Sequence, residues 1–282
     1  MNNLAPLERL NSKQIPVLPP GAPALLTSLT DPSIDFMQMA EIIGRYPSIA
    51  ARLISLANSA WSAPVSEITS LEMACARLGF DIVRSTSIAL AVAAPFDPNR
   101  CPAFAADYYW TSALLAADGS SWLTPYCTSI GIESPTARAA GLLHNLGLLW
   151  LADQLPREVQ QAIELSREHE TTYLREALRE IIGVDYCEAG RRLGEAWKLP
   201  EVLVNAMAHH ADDDFQERMG GIASLVGLAS SMVSALQRET DWSPPDSRLN
   251  TLGINAANAE TVLQRLAGQL VKTQELAKTL FS

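Results

Sequence analysis

The chain has 282 residues, enough for a large buried core, and is 48% hydrophobic with only 18% charged residues, a balance that excludes disorder over most of its length. The 21 Lys and Arg against 31 Asp and Glu leave a net charge of −10, which argues against a surface that coats nucleic acid, because phosphate neutralisation dominates such binding. Aromatic residues are only 6% and the apolar content comes from Ala, Leu, Ile and Val, so the composition predicts an all-α protein rather than a β-sandwich.

Near the start, Glu8, Arg9 and Lys13 and then Pro16, Pro19 and Pro20 interrupt the apolar run that a secretion signal needs. Ser33 and Asp35 precede a helical run from Phe36 to Ile43, and Pro47 opens a second through Ala57. Thr69 with Glu72 has the spacing of a capping box ahead of Met73 to Leu78, which Gly79 stops. Asn58 and Ser59 read as a helix C-terminal turn, with Asn58 in the left-handed region, and Trp61 to Pro64 as a further turn. Asp81 starts a long apolar helix to Ala94, ended by Pro95, and the Pro-bearing stretch from Asp97 to Pro102 marks a subdomain boundary.

The second half predicts a helix from Tyr108 to Leu123 and a polar loop from Thr124 to Glu133. Ser134 and Pro135 then start one helix running through His144 to about Gln154. Pro156 begins the next, ending near Glu170, with His169 solvated among acidic neighbours. Asp185 and Glu188 form another capping-box pattern, and Arg191 and Arg192 read as a salt-bridge ladder with Glu188 and Glu195. Pro200 opens the helix that carries His209 and His210. The charge-free run from Met219 to Gln237 is long enough to span a bilayer, but its glycines and serines suit a buried helix better, so no membrane insertion is expected. After a Pro-rich linker at 241–246, residues 256–281 carry an apolar stripe near the helical period, which either packs back onto the domain or forms one side of a homodimer seam. The cysteines Cys75, Cys101, Cys127 and Cys187 form no close pair, which points to reduced thiols in a cytoplasmic protein rather than a zinc or redox motif.

Four histidines occur, His144, His169, His209 and His210, and none precedes His144. His144 and Asn145 interrupt the apolar stretch Ala139 to Leu149, where adjacent polar groups need partners. His209 and His210 interrupt a second one. Two helices that bring histidines together form the geometry in which bundles hold metals.

Gly141 to Gly147 resembles the His-Asp helix of the HD superfamily of metal-dependent phosphohydrolases, with Asn145 at the position of the metal-binding aspartate. The segments Ile15 to Pro20, Asp31-Pro32, Ala50 to Leu53, Ala57 to Ala60, Ile68 to Leu71 and Arg77 to Gly79 are similar, in order and spacing, to HDOD domains, the HD-related output modules of bacterial signalling proteins. The likeness runs from Lys13 to Ala211, and one departure is Arg45 where the family commonly has Asp. It implies a multi-helical HDOD domain over 13–240, with an N-terminal helical subdomain at 13–95 and an HD-like one at 104–240. Residues 241–282 are the linker and C-terminal helix.

An active HD site needs an upstream histidine, the His-Asp pair and a downstream aspartate. The resemblance places Ser112 at the first of these, Asn145 at the aspartate of the pair and Ser230 near the last, so three of the four elements are lost. Ser112, His144, Asn145, His209, His210 and Ser230 are then a remnant pocket, against the plainer reading, which the residues favour for the three histidines, of one hydrogen-bonded core histidine beside a surface pair. No metal, cofactor or catalytic residue is expected. The reading is a non-catalytic regulatory module that binds a signalling protein and at most senses a small ligand. Its rivals are a divergent metal-dependent phosphohydrolase that recruits an acid from Asp212 to Asp214, and a cyclic-dinucleotide-responsive sensor.

Overall fold

A computed structural model describes residues 10, 15–19, 21–31, 33–129, 131–168, 173–212, 220–243 and 245–281, and among them the regular structure is all helical. The first group of helices comprises α1 (Ala22–Thr30), α2 (Phe36–Gly44), α3 (Pro47–Asn58), α4 (Leu71–Leu78) and α5 (Phe80–Ala93). Then come α6 (Ala106–Leu123), α7 (Ser134–Leu143), α8 (Leu146–Gln154), α9 (Pro156–Glu168) and α10 (Leu174–Ile182). The series ends with α11 (Tyr186–Ala196), α12 (Glu201–His209), α13 (Gly220–Arg238), α14 (Asp246–Leu252) and α15 (Ala256–Phe281). Lys13, His169, Asp213, Asp214 and Met219 lie outside the described residues.

Local chemistry sets most helix starts. At α2 the Asp35 carboxylate accepts the Gln38 amide at 2.8 Å while the Gln38 side chain accepts the Asp35 amide at 2.9 Å, a complete capping box. At α4 the cap is Ser70, not Thr69, and its hydroxyl accepts the Met73 amide at 3.2 Å. Asp185 caps α11 by accepting the amides of Cys187 and Glu188. Glu188 does not reach back to it, because its carboxylate is taken by Arg191 and Arg192, which also hold it well below the usual range, at about 2, with the Arg191 hydrogen bond the largest cause. The ladder on that helix face is present, with Arg191 also pairing Glu195.

Asn58 is the last residue of α3 and is not left-handed. Its side-chain amide instead clamps a residue ten positions on, accepting the Ile68 amide at 2.8 Å and donating to the Ile68 carbonyl at 2.7 Å. Ile68 is buried, so Asn58→Ala strands both backbone groups and is expected to cost about 2 kcal/mol. Urea unfolding at neutral pH measures it, and a loss within experimental error of zero would contradict the clamp.

Three helices had no local signal strong enough to be foreseen, α1, α10 and α14. The last interrupts the stretch between the Pro-rich linker and the tail, and it matters for packing. Its Arg248 is buried and donates to the His210 carbonyl at 2.7 Å, passing α13 at Gly227, where a Cβ would overlap the guanidinium. The α6 helix lies at the centre of the second half, packed by α7, α13 and α15. The tail stripe packs back onto the domain, with Ala259, Leu266, Ala277 and Leu280 buried and Leu263 and Leu270 half-buried, and Phe281 stacks on Trp110 at 4.2 Å. The α13 helix is, among the described residues, the one helix long and apolar enough to cross a membrane, and most of it is buried inside the fold.

Candidate functional site

The expected single helix from Ser134 to Gln154 is broken in two. α7 ends at Leu143, Asn145 takes φ −105° and ψ 13°, and the chain restarts as α8 at Leu146. Both sides of the break are closely packed. Gly141 sits so near α6 that a Cβ there would overlap the Ala116 carbonyl, and Gly147 sits against α11 so that one there would overlap the Tyr186 carbonyl and the Gly190 amide. The turn between the two helices presents His144 and Asn145.

His144 is buried. Its Nδ1–H donates to the Gly141 carbonyl at 2.6 Å, which leaves Nε2 as an acceptor facing the Ser230 hydroxyl at 3.4 Å. Burial pushes this imidazole down to about 4, against the opposing pull of the Gly141 carbonyl. The His210 ring stands edge-on to it, 4.7 Å away at 88°, with its Nδ1–H donating to the Ala206 carbonyl at 3.1 Å. Burial, then the neighbouring His144, push His210 well below its ordinary value as well. Both rings are therefore neutral at pH 7. Cys187 lies 3.9 Å from His210 Nδ1, but burial raises its thiol to about 12, so this is a packing contact and not an activated nucleophile.

In front of His144 opens a cavity of about 600 Å³ lined from α6, α9, α10, α11, α13 and the α7–α8 turn. Ser112, His144, Asn145 and Ser230 all line it. The Ser112 hydroxyl donates to Gln237, and the Asn145 side-chain oxygen is buried and meets no partner among the described residues. Residues 15–213 match the HDOD domain family. The chain belongs to that family.

Solved structures agree with the assignment. The HDOD chain superposes over 100% of its length on a protein assigned to signal transduction from Marinobacter aquaeolei VT8, with TM-score 0.82 and 20% identity, and spans 62% of that protein's length. It is similar over 98% of its length to an HDOD domain protein of unknown function from Geobacter sulfurreducens, covering 97% of that chain with TM-score 0.73 and 19% identity. A third likeness is to a protein assigned as a phosphohydrolase from Shewanella amazonensis SB2B, at TM-score 0.69 and 21% identity, covering 98% of this chain and 97% of that one. At these identities the likeness establishes the fold. No curated protein matches the chain.

Within the HDOD fold, the metal set of the HD superfamily does not fit the residues present. The expected ligand positions offer one imidazole nitrogen at His144, the hydroxyls of Ser112 and Ser230 and the neutral amide of Asn145, and the described lining has no carboxylate to offset the dehydration of a divalent cation. Among the described residues no group of three or more His, Cys, Asp or Glu is placed to hold an ion.

The histidine pair on α12 divides. Adjacent positions on a helix lie about 100° apart, and here only one of the two faces inward. That one is His210, which backs His144 instead of lining the cavity. His209 points away, is about one-third exposed, and pairs with Asp212 at 3.1 Å, so neither belongs to the cavity wall, and His210 is no surface residue. Asp212 in turn is held by Arg175, which also donates to Asp185 at 2.6 Å and to the Ala211 carbonyl at 2.9 Å. Burial pushes the Asp212 carboxyl up, and the bonds from Arg175 and His209 outweigh it, leaving it below its ordinary value. The remaining lining residues were not anticipated. Tyr108, Tyr109, Tyr173, Tyr186, Arg167 and Arg238 come from four helices and a loop and share no sequence spacing.

Proposed function

We propose that this chain is a non-catalytic signalling module of the bacterial cytoplasm that acts by binding a signalling protein, with a degenerate HD site in place of a metal centre. The observation that carries the reading is the chemistry of the converged set. Ser112, Asn145 and Ser230 are neutral oxygen donors, and His144 has one ring nitrogen already committed to Gly141. A cation brought there would lose its water for ligands without charge, and the low dielectric of the buried site makes that exchange unfavourable. Membership of the HDOD family and the fold shared with a protein assigned to signal transduction support the signalling role.

The test is metal content and turnover on the full chain. After incubation with Fe²⁺ or Mn²⁺ and gel filtration, we expect less than about one-tenth of an equivalent of metal to be retained, and hydrolysis of bis-p-nitrophenyl phosphate at the buffer rate. One retained equivalent together with turnover that disappears in His144→Ala would establish the phosphohydrolase instead.

A further inference from the structure

We infer that the cavity in front of His144 is a binding site for a small organic anion that carries a planar ring. The inference deepens the reading above, since a pocket with this shape and no metal ligands retains binding without hydrolysis.

Charge is the first observation. The protein carries ten more negative than positive charges, yet the described lining contains Arg167, Arg175 and Arg238 and no Asp or Glu. Arg175 is committed to Asp185 and Asp212. Arg167 reaches only the Ala103 carbonyl, at 3.4 Å, and Arg238 has no ion-pair partner among the described residues. Packing alone gives no reason to gather arginines around an otherwise neutral cleft. A cleft walled by low-dielectric protein focuses such a field, and the guanidinium fork matches the oxygens of a carboxylate or a phosphate.

The aromatic lining is the second. Tyr108 and Tyr173 are 47% and 61% exposed at this cavity, two of the few large apolar side chains left uncovered, while Tyr109 and Tyr186 line it more deeply. Tyrosine faces are suited to stacking on a planar ring, with little conformational entropy lost.

The third observation is unmet hydrogen bonding. Tyr109 is 4% exposed and its hydroxyl has no partner among the described residues, and the same holds for the Asn145 side-chain oxygen. Buried polar atoms without partners are costly, and a polar ligand atom relieves that cost. The volume of about 600 Å³ falls in the range of small-molecule sites. An anionic group at the arginines, a ring against the tyrosines and a polar group toward Asn145 account for all three observations. A metal cation or a neutral lipid leaves the arginines unexplained.

Calorimetric titration of the full chain with 1-naphthyl phosphate, 1-naphthoate, 1-naphthol and inorganic phosphate tests the proposal. At least one naphthyl anion should bind 1:1, about tenfold or more tightly than either naphthol or inorganic phosphate. The tighter of the two anions identifies the acidic group as phosphate or carboxylate. Both Arg167 and Arg238 are exposed, so the double variant Arg167→Gln, Arg238→Gln should fold, and it should weaken the better anion by about tenfold or more. Arg191→Gln, on the outer face of α11, should leave binding unchanged. Absence of saturable binding by both anions, or equal binding by the double variant, overturns the site and leaves the non-catalytic reading standing. Release of naphthol from bound naphthyl phosphate supports the site and overturns the non-catalytic reading.

Discussion

Acidification from neutrality to about pH 4 should remove about 3 kcal/mol of stability through His144 alone, the equivalent of its fall from 6.5 in the unfolded chain to about 4 in the fold. In this window the unfolded state binds a proton on the imidazole and the folded state does not. Stability is thus fully present above 6.5, declines through the window and levels off below the folded value. His210 acts in the same direction, because its burial is equally complete and protonating it would place charge beside His144 and Arg248. Carboxylates held low by arginines, such as Glu188, lose their contribution only at lower pH, so comparing pH 7 with pH 5.5 weights the histidines over them. His144 should account for about 1 kcal/mol of the loss over that interval. Urea midpoints at the two pH values measure it. His144→Leu should flatten the dependence in part, and His209→Gln, on the exposed side of α12, should not. A His144→Leu variant with the full wild-type slope would show that the imidazole is not buried in its neutral form.

Gly147→Ala should destabilise the protein by about 3 kcal/mol or more, among the largest effects of any single methyl group in this fold. The added carbon would overlap the Tyr186 carbonyl and the Gly190 amide and come 2.9 Å from the Gly190 Cα. All three are backbone atoms of α11 or its first turn, so no rotamer change relieves the clash and the α8–α11 contact must open. Tyr186 lines the cavity and stacks on His210 at 5.8 Å, so the damage should reach the site as well as the core. Gly268→Ala provides the contrast. It lies in α15 with nothing within 4 Å of an added Cβ, and removing a flexible residue from an exposed helix should stabilise by about 0.5–1 kcal/mol. Thermal unfolding followed by far-UV circular dichroism distinguishes the two, and equal shifts for both variants would refute the close packing of α8 on α11.

Much of this architecture is local and was legible in the residues. Asp35, Pro47, Gly79 and Asp185 bound helices through hydrogen bonds and backbone restrictions that act within four positions. The order of short motifs from Ile15 to Gly79 carried the family, and the match over 15–213 agrees with it. Residue type alone also decides that Ser112 and Asn145 bring no charge to the cavity. The limits appeared where a local pattern has two outcomes. Thr69 and Ser70 are both competent caps, and the helix begins at Leu71, which gives the cap to Ser70. Asn58 suits a left-handed turn, but the approach of Ile68 gave its amide a better partner.

The sequence by itself determined an acidic, all-helical HDOD chain in which His144 and Asn145 interrupt an apolar stretch. Tertiary structure alone decided that a turn at this pair breaks the helix, that His210 faces inward while His209 pairs with Asp212, and that arginines and tyrosines from separate helices surround one cavity. The reason is physical. Helix boundaries follow from interactions between near neighbours, whereas the face that each helix buries, and the side chains that then meet, depend on contacts between residues tens of positions apart.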